Sequence, residues 1–147
     1  MSELPGRLLA LDVGDRRVGV AVSDPSGRLA RPLTIIVRRS KREDFAKIAR
    51  LVEEQSVSGL VVGYPLNMDD TVGPQARRVQ RYADALRQAL SLPVILWDER
   101  LSSAEAADRL RAAAGSRRRR RMYLDDAAAA VILQEYLDAQ GNRQEDA

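Results

Sequence analysis

The chain of 147 residues contains no cysteine and no histidine. Without thiols there is neither a disulfide framework nor a thiolate nucleophile, and without imidazole there is no Ser-His-Asp triad. A zinc site built from sulfur and imidazole is excluded for the same reason. Any catalytic metal must therefore be held by oxygen ligands, which suit Mg²⁺ or Mn²⁺. General acid–base work falls to Asp, Glu, Lys, Tyr or metal-bound water. Aromatic residues supply only 4% of the chain, too few for a surface on which successive bases stack. No apolar run approaches the ~20 residues of a membrane span, since Gln134 and Glu135 interrupt "AAAAVILQEYL". The start, "MSELPGR", lacks the basic and apolar segments of a secretory signal. The expectation is a cytoplasmic protein that makes no membrane contact.

What is present fits one soluble domain spanning 1–147, with 141–147 as a flexible tail. The net charge is +3 and arginine dominates the basic side, the residue suited to bidentate phosphate contacts. Five arginines follow one another at Arg117, Arg118, Arg119, Arg120 and Arg121. Such a run is ordinarily a solvated linker. With Arg16, Arg17, Arg77, Arg78 and Arg81 in or near other loops, a nucleic-acid partner becomes the better reading.

The patterning predicts strands at 7–13, 18–24 and within 28–37, joined by "GDRR" and by the turn "DPSG". Pro32 marks the third strand as an edge or an irregular start. Ser40 and Glu43 form a capping box for a helix with Phe45, Ile48, Leu51 and Val52 on one face. "GLVVGY" and "PVILW" read as buried parallel strands, separated by a helix that Pro74 opens. Ser102 and Glu105 cap a further helix that Gly115 stops, and "DDAAAAVILQEYLDAQ" is the last. The order β-β-β-α-β-α-β-α-α implies an α/β fold: a mixed sheet with helices on its faces.

Acidic residues stand at three places: Asp12 on the first strand, Asp98 and Glu99 after the last, and Asp125 and Asp126 at the final helix. Asp is depleted in buried strands, so Asp12 needs a turn, a cation or a metal ion to offset its burial. Each site also has a structural reading: turn shaping for Asp12, an ion pair within "DER", and an N-cap at Asp125 or Asp126. Drawn together, however, three carboxylates repel one another unless a divalent cation sits between them, the design of a metal-dependent phosphodiesterase.

The stretches "LLALDVGDRRVGVAVSD", "VVGYPLNMDDTVGPQA", "DERLSSAEA" and "LDDAAAAVILQEYL" resemble the four blocks of the RuvX/YqgF family. The resemblance implies a ribonuclease H-like fold and a nuclease of the pre-16S rRNA-processing or Holliday-junction-resolving kind. It assigns Asp12, Glu99 and Asp125 as the catalytic, metal-binding carboxylates. Arg100 and the run Arg117–Arg121 would hold the nucleic-acid backbone with Arg16, Arg17 and Arg77, while Asn67 would act from the loop beside them. The chain departs from the pattern at Tyr64, where leucine is commoner, and at Asp70, where glycine is commoner, which makes a positive φ harder to reach there. Processing of the 5′ end of pre-16S rRNA is the leading expectation, and resolution of branched DNA junctions is the alternative. A non-catalytic RNA-binding module is a third reading. An ATPase of the actin and sugar-kinase type is disfavoured, because one lobe cannot enclose a nucleotide. A resolvase calls for a two-fold dimer, but no heptad seam or obvious apolar patch in the sequence points to a homodimer.

Overall fold

The computed structural model describes residues 6–67, 69–98 and 127–146. Strand β1 (Arg7–Val13) sends Leu9, Leu11 and Val13 to one face of a sheet and Leu8 and Ala10 to the other. Both faces are covered, which is why the strand reads as an almost continuous apolar run. It pairs antiparallel with β2 (Arg17–Ser23), and β2 pairs antiparallel with β3 (Ala30–Val37). On its other side β1 runs parallel to β4 (Val57–Tyr64), which runs parallel to β5 (Val94–Asp98). The sheet order is β3-β2-β1-β4-β5. The predicted meander and buried parallel strands are all present, and β3 is an edge whose register shifts beside Pro32, where no N–H is available to the ladder.

Helix α1 (Lys41–Glu54) starts where expected: Ser40 Oγ accepts a hydrogen bond from the Glu43 N–H at 3.2 Å. Pro74 opens α2 (Pro74–Leu90), which ends at Ser91 in the left-handed conformation, φ +54°. These two helices cover one face through Ile48, Val79, Tyr82, Ala83 and Leu86. Helix α3 (Ala128–Asp146) covers the other with Ala129, Ala130, Ile132, Leu133 and Tyr136. It runs on through Gly141, whereas the sequence reading ends this helix at Gln140. A helical glycine costs only about 1 kcal/mol against alanine, too little to stop a helix by itself. The predicted helix after Ser102 and the run Arg117–Arg121 lie outside the described residues.

Candidate active site

The alternation along β1 places Asp12 on the face covered by α3, at the strand's carboxyl end. In open α/β sheets ligands collect at this end. Asp12 pairs with Gly19 of β2, and the register Leu11–Val62 puts Gly63 of β4 next to it on the other side. Its two lateral neighbours thus have no side chains to cover it. A Cβ built on Gly19 would lie 3.7 Å from Asp12 Cβ and 3.8 Å from Ala129 Cβ, so α3 passes close over this row. Gly63 in turn pairs with Trp97, whose ring meets Tyr136 of α3 edge-on at 5.4 Å.

The result is a cleft of about 380 Å³ lined by Asp12, Arg16, Arg17, Gly19, Ile35 and Ala129, among others. Burial pushes the Asp12 carboxyl above its ordinary value of 3.8, and no hydrogen bond or charge among the described residues offsets it. An ion pair or capping role would leave a partner at the carboxylate, and none is described. Gly14 shapes the rim. Its N–H donates to the Arg17 carbonyl at 2.8 Å, and a Cβ on Gly14 would stand 2.9 Å from that oxygen. The Asp-x-Gly pattern therefore serves a tight turn as well as the carboxylate beside it.

The other expected site residues divide into three groups. Arg16 and Arg17 line the Asp12 cleft. Asn67 ties its own loop: its N–H donates to the Thr71 carbonyl at 3.0 Å, and Nδ2 donates to Thr71 Oγ1 at 2.9 Å. Asp70 in that loop takes φ +71° without being glycine. Arg77 is exposed on α2 and does not line the Asp12 cleft. Glu99, Arg100, Asp125 and Arg117–Arg121 lie outside the described residues. Among those described, no three metal-ligating side chains form a group. Asp98 is described: it follows Trp97 on β5 and so belongs to the face opposite Asp12.

A second cavity, of about 210 Å³, opens on the α1/α2 side, with Arg38, Lys41, Arg78, Arg81 and Tyr82 in its lining. Below it Asp44 is buried, at 1% exposure. It accepts from the Arg39 N–H at 3.1 Å and sits 3.8 Å from Arg38 Nε. Sequence reasoning missed this pair, although Asp44 falls on the same helical stripe as Ile48 and Leu51.

A five-stranded sheet of this order with helices on both faces is the ribonuclease H-like fold. RuvC from Thermus thermophilus, solved in complex with a Holliday junction substrate, aligns with a TM-score of 0.67 at 13% identity, covering 94% of this chain and 97% of that one. The yeast mitochondrial Holliday junction resolvase Ydc2 aligns at 0.58 and 11% identity, covering 98% of this chain and 83% of that one. Within this fold the chain belongs to the RuvX family, described as Holliday junction resolvase, which it matches over residues 6–139. A relative from Thermoanaerobacter pseudethanolicus, named "Putative pre-16S rRNA nuclease", is 46% identical over 93% of this chain and 99% of its own length. One of the same name from Anaeromyxobacter dehalogenans is 51% identical over 90% of this chain and 96% of its own. Among the described residues no helix is long and apolar enough to cross a membrane.

Proposed function

We propose that this chain is a divalent-metal-dependent nuclease that hydrolyses phosphodiester bonds in the 5′ leader of pre-16S rRNA. The observation that carries the chemistry is Asp12: a partly desolvated carboxylate without a described partner, at the carboxyl end of a central strand, facing a cleft with Arg16 and Arg17 on its wall. A cation fits this position, because it would replace the water that Asp12 has lost. The relatives' shared name supports RNA as the substrate.

Asp12 would hold the metal together with Glu99 and Asp125. The opposite-face position of Asp98 supports Glu99 as the carboxylate from "DER". When bound, Mg²⁺ or Mn²⁺ supplies an activated water and steadies the leaving oxygen. Arg16 and Arg17 neutralise the phosphates that flank the scissile bond, which holds the strand in register without reading its bases. Arg100 and the run Arg117–Arg121 extend that contact. The loop braced by Asn67 and Thr71 stands at the carboxyl end of β4.

The test is cleavage of an end-labelled structured pre-rRNA leader and of a four-way DNA junction by wild type and Asp12→Asn, with Mg²⁺, Mn²⁺ or EDTA. Metal-dependent cutting of the leader, reduced at least about 100-fold in Asp12→Asn, is the expected result, since even partners behind the ligands cost 10–100-fold. Cutting of the junction alone would move the substrate to branched DNA. Equal cutting by the variant would remove Asp12 from the mechanism.

A further inference from the structure

The cavity on the α1/α2 side is not part of the Asp12 cleft, yet the two meet at one turn, because Gly14 and Asp15 line both. Its back wall is fixed by Arg38. That guanidinium donates through Nη1 to the Gly14 carbonyl at 2.8 Å and lies 4.9 Å over the Tyr82 ring. Buried Asp44 balances the Arg38 charge. Lys41, Arg78 and Arg81 remain at the mouth. Arg78 approaches Asp15 at 3.8 Å, but both are well exposed, and such pairs hold weakly. No hydrogen bond or ion pair of the Lys41 or Arg81 side chain is described. A pocket with surplus positive charge and a rigid floor is built for an anion.

We propose that this pocket binds a backbone phosphate of the nucleic-acid substrate, displaced from the scissile bond, with the strand crossing the Gly14–Asp15 turn between the two cavities. Phosphate is the group the lining recognises, since four cations converge there against one lining carboxylate. A strand phosphate suits it better than a free nucleotide: the one aromatic face in the lining, Tyr82, is already covered by Arg38, which leaves no platform for a base. The strand assignment rests on the nuclease reading above, whereas the phosphate assignment does not.

The experiment compares two double variants that lose the same charge, Lys41→Gln with Arg81→Gln in the pocket and Lys47→Gln with Arg50→Gln on the exposed surface of α1. Affinity for a fluorescein-labelled RNA hairpin with a single-stranded 5′ overhang is measured by anisotropy in EDTA across a salt series. Thermal stability is measured with and without inorganic phosphate. The pocket pair should weaken RNA binding about tenfold, the scale of one charge-assisted contact, and flatten the salt dependence by about one phosphate. It should also lose the stabilisation by inorganic phosphate that wild type and the surface pair show. Equal RNA affinity in the two double variants, with phosphate protection also equal, overturns the proposal. Phosphate protection that the pocket pair abolishes without any change in RNA affinity overturns the strand assignment, leaving a free-anion site. Because binding is read without metal, failure of the nuclease reading would appear in the cleavage assay and not here.

Discussion

On the face covered by α3, the sheet presents Ala10, Gly19 and Ala21 toward Ala129 and Ala130. On the other face, Leu9, Leu11 and Val20 meet Ile48, Tyr82 and Leu86. Each face carries a carboxylate withdrawn from water, Asp44 fully and Asp12 in part, and the two are treated differently. Asp44, under the large side chains, has an N–H donor and an arginine. Asp12, among small ones, has burial with nothing described to offset it. Large side chains seal a face, so a charge placed there must be matched within the protein. Small side chains bring the helix near the strands while leaving a cleft, so a charge there can be matched from outside. The matched carboxylate serves the fold, and the unmatched one is the group the proposed chemistry uses.

The largest effect expected from breaking this comparison is on the sealed face. Asp44→Ala removes the acceptor of the Arg39 N–H and the counter-charge of Arg38. Breaking a buried pair from one side costs about 3–5 kcal/mol. Arg38 keeps 28% of its side chain exposed and can recover some hydration, so a loss near about 3 kcal/mol is expected in urea unfolding. A loss below about 0.5 kcal/mol, the range of ordinary surface changes, would show that the pair is incidental and that the two faces do not differ as argued.

A smaller loss is expected on the open face from Gln134→Leu. Gln134 is buried at 1% exposure on α3; its Oε1 accepts from the Ala30 N–H at 3.0 Å, and its Nε2 donates to the Arg28 carbonyl at 2.9 Å. This one side chain ties the β2–β3 hairpin to the helix over the cleft. Leucine fills similar space but leaves the Ala30 N–H buried without an acceptor, at about 1–3 kcal/mol. Hydrogen exchange at Ala30 sharpens the reading: protection there should fall more than at Leu60, which is buried in the central sheet. A uniform fall across the sheet would mean that the clamp is not local.

Most of this fold is legible in residue pattern. The capping residue Ser40, Pro74 at the start of α2, and Gly27 at φ +72° closing "DPSG" all stand where local chemistry demands. What local pattern cannot supply is the partner of a polar residue. Asp44 reads as an acid in the first turn of α1, where the helix dipole favours it; its stripe with Ile48 and Leu51 hints at burial, but its pairing with Arg38, the residue after β3, shows only in the fold. Gln134 reads as an interruption of an apolar run, yet its partners lie more than a hundred residues away in sequence. Tyr82, despite its polar hydroxyl, is among the largest fully buried side chains. Asp70 shows the opposite: the sequence argues against a positive φ there, and the loop adopts one, with aspartate among the side chains that tolerate it. For the site, Asp12 is legible because Asp is out of place in such a strand. Glu99 and Asp125 rest on the family pattern.

The smallest effect expected is also the sharpest for the comparison, because its sign is opposite. The folded-state pKa of Asp12 is raised by desolvation. A raised carboxyl favours the protonated form in the fold, so its contribution to stability is complete below the ordinary value of 3.8 and is lost as pH rises through the raised one. At neutral pH, without divalent metal, the ionised group therefore destabilises the protein. Asp12→Asn should then raise the stability read by urea unfolding at pH 7 in EDTA, by less than either loss above, and the gain should vanish in acid. Added Mg²⁺ or Mn²⁺ should stabilise wild type by mass action and leave the variant unmoved. A variant that is less stable than wild type in EDTA would mean that Asp12 has a structural partner after all. The open face would then be as internally matched as the sealed one, and the distinction between a carboxylate for folding and a carboxylate for chemistry would fail at the residue on which it depends most.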